Sequence, residues 1–179
     1  RVNLEEVGHF ALIIASPSWR KARERGVQAW LRLRDTGPVR GIPLRIVGAP
    51  LTPQESELIH AHGAVGAVQV VSGVTDEQLI EQYQKCAFLI MMSRAEGLGW
   101  PVVEAGANGR VSACSDIPVL RETGGEASVY IPEHFQVDWE ELAFQLINPS
   151  RRSAAVTNSE RFNSHDFART IQKVWASAL

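Results

Sequence analysis

The sequence predicts an α/β fold, a doubly wound, Rossmann-like parallel sheet, on three observations. Short apolar runs of about five residues recur between longer amphipathic stretches. These runs are almost continuously apolar, which is typical of strands covered by helices on both faces, as in parallel sheets. The connections between predicted elements are short, so repeated strand and helix units favour right-handed crossovers within one sheet.

Six apolar runs are predicted to be the strands. In chain order they are Phe10–Ala15, Leu44–Val47, Ala67–Val71, Phe88–Met92, Val111–Cys114 and Val129–Ile131. Parallel sheets of this kind bind ligands at the carboxyl ends of their strands. The loops that follow these runs are therefore the predicted location of a site.

Four side chains are predicted to cap helices, because each has an oxygen that can accept from the free amides of a first turn. Three of them have an acid or amide three residues on, which predicts a capping box. The caps are Thr52 with Glu55, Thr75 with Gln78, Asp138 with Glu141, whose helix ends near Pro149, and Ser164, which opens a closing helix.

Length and composition predict one domain and exclude several classes of protein. The 179 residues, 45% hydrophobic and 21% charged, are typical of a single globular core. A formal charge of -2 argues against nucleic acid as a partner. Cys86 and Cys114 lack metal-ligand spacing, which indicates buried thiols in a reducing, cytoplasmic compartment. No apolar run approaches the roughly 20 residues that span a bilayer.

The loop after the fourth predicted strand carries the most chemistry. Gly97 and Gly99 let the backbone approach a ligand, and Pro101 suits the first position of a helix. Amides at such a helix start attract anions, which predicts a diphosphate site. Glu96 and Glu104 are placed to face one crevice and accept hydrogen bonds from hydroxyls. The alternative is a glycine turn with solvated glutamates.

The order of residues from Glu96 to Ala127 resembles the donor site of the group one retaining glycosyltransferases, which have a two-domain B-type fold. The matching strings are EGLGWPVVEA, SDIPVLRE and GGEA. The resemblance implies that residues 1–179 are one donor-binding domain, the C-terminal half of such an enzyme. It also implies that an N-terminal acceptor domain is absent from this chain.

The resemblance assigns roles to the residues of this loop. It implies that Glu96 contacts the transferred sugar and that Glu104 binds the ribose of the nucleotide. The amides of Gly97, Leu98 and Gly99 are then expected to contact sugar hydroxyls or phosphates. These roles agree with the anion site and the paired acids that the residues themselves predict.

The first loop departs from the family pattern. The family has a glycine and an arginine where this chain has Ala15 and Ser16, so Ser16 lies at a donor-binding position without the cation. Lys21 lies where the family lysine is expected, and Arg20 is a candidate replacement for the arginine as a neutraliser of the leaving diphosphate. The alternative is that residues 20–25 form a solvated basic face.

Two more loops complete the predicted donor site. Gly48 matches a family glycine that either admits the ligand or makes the turn. Ser72 replaces a glycine that the family usually has in the region that holds the base. The sequence therefore does not predict which nucleobase is bound. The backbone around Val74 is placed to contact the edge of the base.

The function implied by the resemblance is transfer of a sugar from a nucleoside diphosphate sugar to an acceptor hydroxyl, with the anomeric configuration kept. No cofactor and no metal is expected. The acceptor, a glycan or lipid-linked glycan of polysaccharide biosynthesis, is expected to bind the missing domain. Through that domain, the enzyme is also expected to associate peripherally with a membrane. Alone, the chain is expected to bind the donor and scarcely react.

Other functions remain open. A sugar-nucleotide epimerase or phosphorylase uses the same fold, and a catalytically decayed binding domain would tolerate the departures at Ser16 and Ser72. A glycosidase also uses paired acids, but the glycine loop argues against it. Residues 16–19 lack the glycines of a dinucleotide site, which argues against a dehydrogenase.

Overall fold

The computed structural model describes residues 8–162, which form a six-stranded parallel sheet. The strands are β1 (Phe10–Ile14), β2 (Leu44–Val47), β3 (Val68–Val71), β4 (Cys86–Met91), β5 (Ser112–Ser115) and β6 (Val129–Ile131). Their spatial order is β3-β2-β1-β4-β5-β6, and each neighbouring pair is parallel. The predicted doubly wound α/β fold is confirmed.

Seven α-helices lie within residues 8–162. They are α1 (Arg23–Leu33), α2 (Pro53–Ala61), α3 (Asp76–Lys85), α4 (Trp100–Ala107), α5 (Pro118–Gly124), α6 (Trp139–Leu146) and α7 (Pro149–Ser159). None of the helices in this part of the chain is both long and apolar enough to cross a membrane.

The helices cover the sheet in two layers, and each layer has its own apolar cluster. Helices α1, α2 and α6 pack on one face around Trp30, whereas α3, α4 and α5 pack on the other around Tyr83. Strand β1 contributes Ile13 to the first cluster and Leu12 to the second. Burial on both faces explains why the strands are continuously apolar.

The predicted caps inside the described residues are confirmed. The side chains of Thr52 and Thr75 each accept from the third amide of their helix, and both capping boxes are complete. Asp138 caps α6, but the third predicted box is not formed, because the Glu141 side chain accepts from Gln145 instead. Helix α6 ends at Leu146, and Asn148 then caps α7 as a separate helix. The closing helix predicted from Ser164 lies outside the described residues.

Strand and helix ends differ from the predictions by one or two residues. Strand β4 begins at Cys86, two residues before the predicted start, because Cys86 pairs with Phe10 across an irregularity in the register. Pro101 is the second residue of α4 and not the first, since Trp100 already has helical geometry. These shifts leave the order of elements unchanged.

The centre of the sheet is a topological switch point. Strands β1 and β4 are neighbours, yet the chain leaves β1 towards the α1 layer and leaves β4 towards the α4 layer. The loops at residues 15–22 and 92–99 therefore diverge above the carboxyl ends of adjacent strands. Crevices at such points are where doubly wound sheets bind ligands.

Candidate functional site

The two loops of the switch point are joined at their base. The amide of Arg94 donates a hydrogen bond of 2.7 Å to the carbonyl oxygen of Arg20. This contact fixes the basic first loop beside the glycine loop. The predicted cations and the predicted anion cradle are therefore held in the same region.

The glycine loop presents unpaired amides at the start of α4. Gly99 is the N-cap residue of α4 with φ of 88°, and a side chain there would come 2.6 Å from a methyl carbon of Leu120. A side chain on Gly97 would meet nothing within 4 Å, so the loop is open there. Among residues 8–162, none accepts a hydrogen bond from the amides of Gly97, Leu98 or Gly99. Free amides at a helix start form an anion site.

Lys21 and Glu96 form an ion pair between the two loops. Lys21 Nζ lies 2.8 Å from Oε1 and 3.1 Å from Oε2 of Glu96. The Glu96 side chain is 7% exposed and that of Lys21 is 24% exposed. Arg20 is exposed, and no acid among the described residues pairs with its side chain. Only one of the two predicted cations therefore contacts the predicted sugar-binding acid.

Glu104 has a different partner, the phenol of Tyr83 on α3. Tyr83 Oη donates to Glu104 Oε2 over 2.5 Å, and the tyrosine is 2% exposed. Burial first, and then the hydrogen bond and charge of Glu104, raise the pKa of Tyr83 far above its ordinary value. The phenol therefore stays protonated and acts as a donor.

The two acids occupy distinct positions around α4. Glu96 precedes the helix, whereas Glu104 lies in its second turn. In the described part of the chain, no side chain contacts both carboxylates. The contacts therefore give each acid its own partner, and the prediction that both acids face one crevice stays a prediction.

The loop after β2 packs against the first loop, and the loop after β3 packs against the loop after β2. Gly48 has φ of 148°, and a side chain on it would come 2.5 Å from the carbonyl oxygen of Ala15. That close approach supports a requirement of the turn for glycine. Ser72 donates its hydroxyl to the carbonyl of Gly48, and Val74 packs half-buried against the α3 layer. Ser16 is exposed.

A buried ion pair that the sequence did not predict holds these loops in place. Arg23 donates to Glu55 over 2.8 and 2.6 Å, and both residues are buried. It also donates to the carbonyls of Ala15, Ala49 and Pro50. Burial alone would raise the pKa of Glu55, but its hydrogen bonds and the Arg23 charge hold that pKa below its usual value. Arg23 is thus not part of a solvated basic face.

Two sequence signals for the missed residues exist. Arg23, Val27 and Trp30 are spaced four and three residues apart, which places Arg23 on the buried stripe of α1. Tyr83 lies on an apolar helical position, and a buried phenol needs an acceptor. Neither signal names the partner, because the partner is distant in sequence.

Two other features carry no part of this site. His60 and His62 are exposed at the end of α2, and His62 Nδ1 contacts the carbonyl of Leu58 at 2.8 Å. A cleft of about 360 Å³ between α1 and α2 is lined by residues that include Leu31 and Arg32. None of the residues that line it belongs to the loops after β1 or β4.

The chain belongs to the group 1 glycosyltransferase family. The model of that family, described as glycosyl transferases group 1, matches residues 3–148. No curated protein matches the chain significantly by sequence.

Solved structures of glycosyltransferases share the fold. The pneumococcal O-GlcNAc transferase GtfA, in complex with UDP and GlcNAc, is 18% identical over 95% of this chain and 36% of its own, with a TM-score of 0.69. Anabaena HepE, in complex with UDP and glucose, is 16% identical over 95% of this chain and 48% of its own, with a TM-score of 0.75. WaaG, a glycosyltransferase involved in lipopolysaccharide biosynthesis, is 21% identical over 89% and 43%, with a TM-score of 0.66. The chain spans less than half the length of these proteins.

Proposed function

We propose that this chain is the donor-binding part of a retaining glycosyltransferase that takes a sugar from a nucleoside diphosphate. The observation that carries the proposal is the row of free amides at Gly97, Leu98 and Gly99, beside the Lys21–Glu96 pair. Family membership supplies the reaction class, and the site supplies the groups that such a reaction needs.

The diphosphate is proposed to lie on the glycine-loop amides. In the reaction, the bond between the anomeric carbon and the diphosphate oxygen breaks, and the electron pair stays on that oxygen. The acceptor oxygen bonds to the same face of the carbon, and its proton passes to the departing diphosphate. Fixed amides and the ammonium group of Lys21 stabilise the developing charge at no reorganisation cost. Arg20, exposed in the same loop, is a second source of positive charge.

The remaining groups of the donor are assigned by chemistry. The Glu96 carboxylate accepts from sugar hydroxyls once Lys21 turns to the phosphates, and Glu104 accepts from the ribose. Ser16, Gly48, Ser72 and Val74 are proposed to border the nucleotide. Because GtfA and HepE were solved with UDP, UDP is the first nucleotide to test.

The acceptor is proposed to bind a second domain, since the chain spans less than half of its structural neighbours. A glycan or lipid-linked glycan is the proposed acceptor, and this chain alone is proposed to be nearly inactive. The donor is proposed to need no metal, because Lys21, Arg20 and the amides supply the positive charge. A cytoplasmic location, at a membrane through the second domain, stays a prediction supported by the buried free thiols of Cys86 and Cys114.

A binding-only domain is the second candidate function. The specific observation in its favour is that Ser16 is exposed and brings no cation to the donor site. Product analysis with the full enzyme separates the candidates, because transfer yields a glycoside, an epimerase yields an isomeric nucleotide sugar, a phosphorylase yields a sugar phosphate, and a decayed domain yields no product.

Calorimetry with UDP, GDP, ADP and uridine tests the donor site directly. One diphosphate should bind at least ten-fold more tightly than its nucleoside, and a chelator should not change that affinity. Lys21→Met should lower diphosphate affinity about ten-fold, because one charged contact is lost, and leave nucleoside affinity unchanged. Lys85→Met is the matched control, since Lys85 is exposed at the end of α3. Failure of all three diphosphates to bind would overturn the proposal.

A further inference from the structure

We infer that Tyr83 is a positioning residue that fixes the carboxylate of Glu104 for a ribose of the donor nucleotide. The inference rests on the proposed function and adds a residue from a second helix to the donor site. Tyr83 would act through Glu104 and not touch the ligand, because it is 2% exposed.

The geometry leaves half of the carboxylate available. Tyr83 Oη donates to Oε2 of Glu104 over 2.5 Å, and within residues 8–162 no group donates to Oε1. An ionised carboxylate accepts hydrogen bonds at both oxygens. One oxygen is therefore anchored to the protein, and the other is left for hydroxyl donors of a ligand.

The chemistry of the anchor suits this role. A phenol supplies one proton and no charge, so it orients the carboxylate without neutralising it. A lysine or arginine at the same place would compete with the ligand for both oxygens. Holding the Glu104 side chain in one rotamer before the ligand binds reduces the entropic cost of binding.

The other tyrosine, Tyr130, is half-buried and uses backbone acceptors. Tyr130 Oη lies 2.7 Å from the carbonyl of Gly125 and 3.3 Å from that of Leu120, both of which are backbone acceptors. Tyr83 instead donates to an ionisable side chain on a neighbouring helix. Satisfaction of a buried hydroxyl does not require such an acceptor, and the family motif places that acceptor in the donor site.

Helix α3 ties this anchor to the loop that is proposed to border the base. Residues 72–74 immediately precede the helix, and Tyr83 lies in its last turn. Val74 and Tyr83 pack in the same apolar cluster. The helix is thus a rigid element with the base loop at one end and the ribose anchor at the other.

Calorimetry with UDP and 2′,3′-dideoxy-UDP tests the inference, with GDP or ADP and their dideoxy forms if UDP does not bind. Tyr83→Phe keeps the ring and removes the donor, so UDP affinity should fall about ten-fold while affinity for the dideoxy form changes less than two-fold. Tyr130→Phe, the matched control, should change neither value by two-fold. On a Glu104→Ala background, Tyr83→Phe should have no further effect.

Several outcomes would overturn the inference. The first is that Tyr83→Phe binds UDP as tightly as the wild type. The second is that Tyr83→Phe loses the same affinity for UDP and for its dideoxy form. The third is that Tyr83→Phe still lowers UDP affinity on the Glu104→Ala background. If the wild-type protein binds none of the three diphosphates, the proposed function fails and the inference fails with it. Binding by the wild type with no effect of Tyr83→Phe removes the inference alone.

A measurement on the unaltered protein covers the case in which Tyr83→Phe does not fold. The chain has two tyrosines, so labelling of their phenol carbons gives two NMR signals. UDP should shift the Tyr83 signal and leave that of Tyr130 in place, whereas dideoxy-UDP should shift neither. Equal Tyr83 shifts with both nucleotides, or no Tyr83 shift with bound UDP, would contradict the inference.

Discussion

The two loop regions that border the site are held by different means. The loop after β4 depends on its backbone: Gly99 fits beneath Leu120 and the neighbouring amides are free. The loops after β1 and β2 depend on side chains, chiefly the buried pair of Arg23 and Glu55. This fold can therefore hold a binding loop either by its local backbone conformation or by an ion pair between residues that are far apart in the sequence.

This difference matches the departures from the family pattern. The loop after β4 and the helix that follows it keep the glycines and both glutamates, whereas the region held by Arg23 and Glu55 has Ser16 where the family has arginine. A conformation that only glycine adopts without strain leaves little freedom for change. A region held by a buried pair below the surface leaves its exposed positions free to vary.

Removal of Arg23 should have the largest effect on stability. Arg23→Met leaves the buried Glu55 carboxylate with only the Thr52 amide as a donor among the described residues and removes the donor to three carbonyl groups, which should cost about 4 kcal/mol of unfolding free energy. Denaturant unfolding measures the loss. Arg121→Met is the control, because it breaks an exposed pair with Asp116 and should cost far less than Arg23→Met. Equal losses in the two variants would show that the buried pair does not hold the loops.

Alanine substitutions at Gly99 and Gly97 should have different effects, because Gly99 is needed for the backbone conformation and Gly97 for the approach of the ligand. Gly99→Ala combines a left-handed φ with a clash against Leu120, and should destabilise the fold by about 3 kcal/mol. Gly97→Ala meets open space, so its melting temperature should match the wild type while diphosphate affinity falls. A Gly97→Ala variant that binds UDP normally would count against the amide cradle.

Acidification should lower the free energy of unfolding through Glu55, and by less than Arg23→Met does. The pKa of Glu55 is lower in the folded chain than in the unfolded chain, so its ionisation stabilises the fold above the unfolded pKa. That contribution is lost as pH falls through the folded pKa. Stability of the wild type should therefore drop on acidification more than that of Glu55→Gln. Parallel stability curves against pH would contradict this assignment.

The smallest effect is expected at Ser72. Its hydroxyl donates to the carbonyl of Gly48 on the surface, so Ser72→Ala should cost about 0.5 kcal/mol in denaturant unfolding. UDP affinity should stay within two-fold of the wild type, because the backbone of the loop is unchanged. A larger loss of affinity would give the serine hydroxyl a direct role in binding the nucleotide.

Local patterns in the sequence were enough to predict most of the fold. The strands and the caps Thr52, Thr75 and Asp138 depend on neighbours within a few residues, and all are present within one or two residues of their predicted places. The conformation of Gly99 is local in the same sense. The handedness of crossovers limits the possible sheet topologies, but it does not by itself give the order of the strands, which the structure supplies.

Long-range side-chain partners could not be predicted in the same way. Glu55 was predicted as the capping partner of Thr52, and the structure gives it a second role, as the partner of Arg23 across 32 positions. Tyr83 lies on an apolar position of α3, and its contact with Glu104 spans 21 positions. A pattern within one helix shows that a polar side chain is buried, but not which residue it meets.

Amide NMR spectra of the protein during titration with UDP test the central claim most directly. The amides of Gly97, Leu98 and Gly99 should shift more than any others and become protected from exchange with solvent, whereas uridine should leave them nearly unchanged. Saturable UDP binding that leaves these three amides unshifted, with the main changes elsewhere in the sheet, would contradict the account.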